Sequence, residues 1–277
     1  MSERIGRRGA LTMLVAMTLA TAFGLLAWGP VPIGISAHVY ADTREWLGIP
    51  NASNVLVNLP LFWLAVWGWC ATRASGWPGW MRTPWQWFHL LAMATALTSG
   101  RYHAAPNDTL FVISHIGQAS AFTMLTLGVL AERVDARFGS IACCMTSVAA
   151  ITLTGGAMAY AGRFDGAIDM RPLMLLEILP VLLIPAGALS LKGTHTEASI
   201  WFVVLALYGS SKLFDVGDSA IFGLTGGRIG GHSLMHLSLS VVVGWMAYRA
   251  AVAGPGHPSG AVVSGSSQRQ TSLNTVG

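Results

Sequence analysis

The sequence is poor in charged residues. Only 10% of its 277 residues are Asp, Glu, Lys or Arg, whereas an ordinary soluble domain carries about 25%. Hydrophobic residues make up 53% of the chain, and its mean hydropathy is +0.56. This composition excludes an ordinary soluble globular domain and predicts an integral membrane protein.

Regular alternation of polar and apolar residues is also absent, which argues against a transmembrane β-barrel. Runs of about twenty apolar residues are long enough to cross a hydrocarbon core of about 30 Å. Eight such runs occur, at about residues 10–29, 52–72, 85–103, 110–131, 140–161, 172–191, 198–220 and 232–252. The predicted fold is therefore all-α, a polytopic membrane helical bundle.

The predicted organisation is a single membrane domain, residues 10–253. A cytoplasmic N-terminus, residues 1–9, precedes it, and a Gly- and Ser-rich tail, residues 254–277, should be disordered. Arginines before the first apolar run and a small-residue site at Val39-Tyr40-Ala41 are also typical of a cleaved secretory signal. Because an apolar run of about twenty residues is long for a signal, a retained helix is favoured.

Cysteine is scarce, and the basic residues are scattered. The 3 cysteines lie at or inside predicted spans, where small buried side chains are more common than disulfides or metal ligands. The net charge of +4 is spread over loop ends, so no nucleic-acid partner is predicted. With both termini in the cytoplasm, ten Lys and Arg residues fall inside and five outside, as the positive-inside rule requires.

Ionisable residues collect at the outer ends of the predicted spans. Charged groups within a bilayer are unfavourable by about 2.5–3.5 kcal/mol each on insertion scales, so they usually face a partner or a cavity. We therefore expect one shared cavity in the outer half of the bundle. The residues concerned are His103, Ser114, His115, Glu177, Lys212, Asp215, Asp218, His232 and His236.

Three of these histidines form a candidate metal site. His232 and His236 are four residues apart, which puts both imidazoles on one helical face. His103 supplies a third imidazole from another helix, with Ser99 one turn before it. Three histidine ligands leave one position open, the arrangement by which zinc activates a water molecule.

These motifs resemble those of a known family. Ser99-Gly-Arg-Tyr-His103 and His232-Ser-Leu-Met-His236 are similar to the S-x-x-x-H and H-x-x-x-H motifs of the alkaline ceramidases, which are seven-helix zinc amidases. The similarity to bacterial members extends over residues 40–250, including the stretches Asp42–Pro60 and Lys212–Phe222. It implies a seven-helix core with one additional N-terminal helix.

The resemblance also implies residue roles and reveals one departure. Zn²⁺ would be held by His103, His232 and His236, and Ser99 would support the polarised carbonyl. The family's proton-transferring aspartate falls on Ser114, and a hydroxyl is a poor general base near neutral pH. Three groups could replace it: His115, Asp108 and Glu177. No calcium site is predicted, because the acidic residues of that family's calcium site are only partly present.

The leading hypothesis is a zinc-dependent amide hydrolase of an N-acyl lipid in a bacterial inner membrane, with catalytic residues Ser99, His115 and Asp108. The substitution at Ser114 supports an alternative, a non-enzymatic metal-binding or receptor-like protein. Proton or ion transport is disfavoured, because no ionisable groups continue to the cytoplasmic side.

Several other residues are given structural interpretations. The tryptophans of residues 76–87 are predicted to anchor the bundle at the membrane interface. His38 and His89 are predicted to be solvated or interfacial. Lys212 and Asp215 stand at the i,i+3 spacing of an ion pair inside the bundle.

Overall fold

The structure is a computed structural model that describes residues 6–254. These residues form ten α-helices and two short 3-10 helices, Ile35–His38 and Ala136–Gly139, and no strand longer than an isolated bridge. The α-helices are α1 (Arg7–Trp28), α2 (Ala52–Leu56), α3 (Asn58–Ala74), α4 (Gly79–Ala104), α5 (Asp108–Arg133), α6 (Ile141–Asp165), α7 (Arg171–Ser190), α8 (Ala198–Val216), α9 (Asp218–Leu224) and α10 (Gly231–Val252). The all-α prediction is confirmed. The predicted disordered tail lies, apart from Gly254, outside the described residues.

Seven spans among the described residues are long and apolar enough to cross a membrane, namely α1, α2 with α3, α5, α6, α7, α8 and α10. The remaining predicted span is α4, which has 26 residues and is therefore about 39 Å long. It is more polar than the others because Arg82, His89, Arg101 and His103 lie within it. The chain is an integral membrane protein.

The helices pack both with sequence neighbours and with helices distant in the sequence. α4 lies between α3 and α5, α10 contacts α3 and α8, and α5 contacts α7. α1 packs on α7 at the edge of the bundle, as expected of a helix added to a core. The predicted run 198–220 is interrupted at Gly217, where α8 ends and the short helix α9 begins.

The two ends of the bundle differ in character. At the end where α4 begins, Trp77, Trp85 and Trp201 pack in the core. The prediction that the tryptophans of residues 76–87 anchor the interface is therefore wrong for Trp77 and Trp85. The other end, where α4 ends and α10 begins, carries the three candidate metal ligands and is called the histidine end.

His89 also differs from its prediction. The sequence suggested a solvated or interfacial histidine, but its side chain is completely buried between α3 and α4. Its ring packs against Gly68, where any larger side chain would collide with it. Neither ring nitrogen has a hydrogen-bond partner within the described chain, so His89 acts there as a packing group.

Candidate metal centre

The ends of α4 and α10 bring three imidazoles together. The Nε2 atom of His236 lies 3.0 Å from Nε2 of His103 and 3.3 Å from Nε2 of His232. One nitrogen from each ring lies within 4.8 Å of the other two. His103 and His236 are buried, and His232 is partly buried. The predicted convergence of these histidines is confirmed.

The spacing of these nitrogen atoms fits a metal ion. Nitrogen ligands about 2.0–2.1 Å from a tetrahedral zinc ion lie about 3.3–3.4 Å apart, close to the two observed separations. Imidazole nitrogen is a common ligand of divalent transition metals. The group of His103, His232 and His236 can therefore hold a metal ion.

Gly231 allows α10 to begin close to α8. A Cβ atom at this position would collide with the backbone carbonyl of Phe214 and approach the Cα atom of Asp218. Only glycine fits so close to another backbone. The His232 backbone N–H, in the first turn of α10, donates a 2.9 Å hydrogen bond to Asp218. This bond satisfies one of the backbone N–H groups that have no partner within the helix in its first turn.

Asp215 holds the ring of His232. Its Oδ1 atom lies 2.8 Å from Nδ1 of His232. The sequence predicted that Asp215 would pair with Lys212, but in the part of the chain that is described it pairs with His232, and Lys212 forms no ion pair. With Nδ1–H donating to the carboxylate, the lone pair of Nε2 faces the other two histidines.

A polar cavity of about 400 Å³ adjoins the three histidines. Ser99, Ser114 and His115 line it, as do Lys212 and Asp215. Ser99 and Ser114 are buried. The predicted shared cavity is therefore present, and it includes Ser99 and eight of the nine residues predicted for it. The exception is Glu177, which is not among the residues that line the cavity.

The ring of His115 is held in one orientation. Its Nδ1 lies 3.0 Å from the carbonyl oxygen of Phe111, and a carbonyl only accepts hydrogen bonds, so Nδ1 carries the proton. The Phe111 ring lies 4.0 Å from the imidazole, centroid to centroid. Nε2 is then the unprotonated nitrogen, and it makes no hydrogen bond within the described residues. His115 can accept a proton through Nε2.

Asp108 lies in a different environment. Its carboxylate is half exposed and forms a 2.7 Å ion pair with Nε2 of His38. It is not among the residues that line the polar cavity. The catalytic role of Asp108 stays a prediction. In the structure its carboxylate contacts His38 and does not line the cavity.

His38 belongs to a segment that crosses the histidine end. This segment, residues 29–42 between α1 and α2, is called the strap. Nδ1 of His38 lies 3.0 Å from the hydroxyl of Tyr102, which donates to the carbonyl of Ala37 at 2.5 Å. Ala41 N–H donates to Asp218 at 2.8 Å. The prediction that His38 is solvated is wrong, because these bonds fix it over the end of α4.

Salt-bridged aspartates anchor both ends of the strap. Asp169 accepts a hydrogen bond from Val31 N–H, and the Arg171 guanidinium keeps the pKa of Asp169 below its usual range. At the other end the Arg44 guanidinium donates to both carboxylate oxygens of Asp42 and lowers its pKa. Arg44 also donates to the backbone carbonyl of Arg228 at 2.8 Å, so both ion pairs connect the strap to distant parts of the chain.

Tyr40 is the strap residue nearest the metal ligands. Its ring centroid lies 5.0 Å from that of His103 and 4.8 Å from that of His232. Its hydroxyl is buried without a hydrogen-bond partner among the described residues, and burial raises its pKa. This contact could not be predicted, because a loop carries no periodic pattern that would indicate what its residues touch.

An apolar channel continues from the polar cavity. It is a narrow cavity of about 90 Å³ between α4, α5, α7, α8 and α10. Leu61, Thr95, Gln118 and Leu239 line both cavities, so the two adjoin. Phe88, Ala121, Leu125 and Trp201 line the part of the channel away from the histidines.

Fold and site together define an integral membrane protein with a buried three-histidine site that can hold a metal ion. No protein-family model, curated protein or solved structure matches the chain. The relation to the alkaline ceramidases therefore stays a prediction, which rests on the motifs Ser99–His103 and His232–His236 and on the similar stretches within residues 40–250.

Proposed function

We propose that this protein is a zinc-dependent hydrolase that cleaves the amide bond of an N-acyl lipid. One observation carries the proposal: three imidazole nitrogens, which lie within 4.8 Å of one another with two separations of 3.0 and 3.3 Å, adjoin a polar cavity that continues into an apolar channel. A polar reaction site joined to an apolar channel suits a substrate with a polar amide and a hydrocarbon chain.

Zinc is the metal we propose for the site. Three neutral imidazoles with a free fourth position are typical of catalytic zinc. Bound by His103, His232 and His236, zinc would supply Lewis acidity that activates water and polarises the amide carbonyl.

The chain's own residues would position the substrate and move the proton. Ser99 lies one helical turn before His103, and its hydroxyl makes no hydrogen bond within the described residues, so it can donate to the carbonyl oxygen. His115 accepts a proton at Nε2 and can later return it to the leaving amine. Ser114, at the position of the family's aspartate, is not needed as a base in this scheme.

The acyl chain would occupy the apolar channel, with the amide in the polar cavity. The positive-inside bias of the sequence supports an orientation with cytoplasmic termini and the histidine end facing outward. On this proposal the substrate reaches the site from the outer leaflet of a bacterial inner membrane.

The test combines metal analysis with a lipid screen. Purified wild-type protein should contain about one zinc per chain and release fatty acid from at least one N-acyl lipid. Ser99→Ala should keep the metal and lose roughly 10²–10³-fold in kcat, the effect of removing an oxyanion donor. Thr98→Ala is the matched control, because its hydroxyl bonds to the helix backbone at Ala94. Metal binding without release of fatty acid from any N-acyl lipid would contradict the proposal.

A second function is favoured by one specific feature, the hydroxyl of Ser114 where the resembling family has a carboxylate. We propose as the alternative a non-enzymatic protein that keeps its metal for structure or ligand binding. Ser114→Asp separates the two. Hydrolysis that appears only in this variant would favour the alternative, and hydrolysis by the wild type would exclude it.

A further inference from the structure

We infer that Asp215 is a positioning residue that fixes the tautomer and orientation of His232 and so sets the metal affinity of the site. The inference rests on the metal site of the proposed function but not on amide hydrolysis. The Asp215 carboxylate bonds to Nδ1 of His232 at 2.8 Å. A carboxylate on the far nitrogen of a histidine ligand orients the ring and makes it a stronger base.

The hydrogen bond between Asp215 and Nδ1 of His232 matters because the other two histidine ligands make no such bond through Nδ1. Nδ1 of His103 is buried and has no partner within residues 6–254. Nδ1 of His236 makes no hydrogen bond to any described residue. His232 is also the least buried of the three ligands. Its ring would therefore rotate most readily if Asp215 were lost.

The position of Asp215 in α8 supports a functional role. α8 ends at Val216, so this carboxylate lies in the last helical turn. Free carbonyl groups there give the helix end a partial negative charge, which favours cations and disfavours anions. An anionic side chain at the C-terminal end of a helix departs from this preference, and departures of this kind are expected at functional sites. The bond to His232 provides the reason for an aspartate at this position.

Asp218 has a separate task. Its carboxylate accepts the backbone N–H groups of His232 and Ala41, at 2.9 and 2.8 Å. It therefore fixes the start of α10 and the strap, whereas Asp215, of these two aspartates, bonds to the His232 ring. Because the two aspartates have separate roles, the contact between Asp215 and the His232 ring can be tested without disturbing the backbone bonds of Asp218.

The experiment measures Zn²⁺ and Co²⁺ binding to the full-length protein and to Asp215→Asn and Asp215→Ala. Asp215→Asn keeps an oxygen acceptor but loses the charge, so we expect about 10–100-fold weaker Zn²⁺ binding and a changed Co²⁺ absorption spectrum. Asp215→Ala should bind more weakly still. Glu45→Gln, an exposed carboxylate on the same side, should bind like the wild type.

A purely structural role would give a different pattern. Because a carboxylate disfavours the end of α8, metal-free Asp215→Asn should unfold at the same temperature as the metal-free wild type, or higher. Wild-type affinity and an unchanged Co²⁺ spectrum in both Asp215 variants would overturn the inference. So would a lowered unfolding temperature of the metal-free variants with unchanged affinity. If the wild-type protein bound metal but cleaved no amide, only the proposed hydrolase function would be contradicted. The inference about Asp215 would stand, because it is tested by the metal affinity.

Discussion

The Nε2 atoms of His103 and His236 lie 3.0 Å apart although 133 residues separate the two histidines in the sequence. α4 and α10 do not owe this proximity to extensive contact with each other, because α4 packs mainly against α5 and α3, and α10 packs mainly against α3 and α8. The histidines meet because α4 ends and α10 begins at the same depth of the bundle. The site therefore depends on the positions of the helix ends.

Removing one ligand should abolish metal binding. His236→Ala takes away a buried ligand from the centre of the group, and two remaining imidazoles hold zinc far less firmly. We expect less than about one tenth of the wild-type metal content, which elemental analysis of the purified protein would measure. His195→Ala is the control, because His195 lies in the loop between α7 and α8 at the opposite end. A full metal content in His236→Ala would rule out the three-histidine site.

His115 and Asp108 give opposite predictions for hydrolysis. His115 lines the cavity with a free Nε2, so His115→Ala should lower kcat/KM by about 10²–10⁴-fold, as expected for loss of a general base. Asp108→Asn should keep most of the activity, because Asp108 contacts His38. Release of fatty acid by both variants, compared with the wild type, provides the measurement. If Asp108→Asn were the more damaging change, Asp108 would be the proton acceptor.

The existence of the membrane spans and the histidine group could be predicted from the sequence, because both follow from local patterns. Apolar runs mark the spans, and an i,i+4 spacing places His232 and His236 on one face. The partner of Asp215 could not be predicted, since it depends on how closely α8 approaches α10 at Gly231. The burial of His89 was missed because the start of α4 was predicted at residue 85, six residues later than its observed start at Gly79.

The apolar channel should limit the length of the acyl chain. Ala121 is buried and lines the channel between Gln118 and Leu125. Ala121→Phe should fill this space and shift the preference toward shorter acyl chains, with at least about a tenfold loss of kcat/KM on long ones. A series of N-acyl lipids of increasing length provides the measurement. Leu153→Phe, on the exposed surface of α6, is the control and should leave the preference unchanged.

Gly231→Ala should damage the metal site without touching a ligand. The added methyl group would collide with the carbonyl of Phe214 and displace the start of α10, which carries His232. Overpacking of this kind destabilises a protein by about 1–3 kcal/mol, and we expect weaker metal binding with a lower unfolding temperature. Gly156→Ala is the control, because a Cβ atom there meets no other group. Equal behaviour of the two variants would show that the close contact at Gly231 is unimportant.

Acid should loosen the strap. Arg44 and Arg171 lower the pKa values of Asp42 and Asp169 in the folded protein. The stabilisation they provide is complete above the unfolded pKa of about 3.9 and is lost as the pH falls through the lower folded values. We expect each contribution to be modest, because solvent screens ion pairs whose arginine is exposed or partly exposed.

Thermal unfolding in detergent between about pH 5 and pH 3 would test this prediction. Part of the destabilisation in acid should disappear in Asp42→Asn combined with Asp169→Asn. Asp135→Asn, at the opposite end of the bundle, should retain the wild-type pH profile. An unchanged profile in the double variant would contradict the assigned ion pairs.

The candidate ligands are all nitrogen atoms, and the residues that line the polar cavity include no cysteine. Of the three cysteines, Cys143 and Cys144 lie in the first turn of α6, and Cys70 is exposed on α3. Imidazoles are neither alkylated by thiol reagents nor oxidised to disulfides under conditions that modify thiols. A metal held in this way should therefore remain bound under oxidative stress that would release it from a thiolate site.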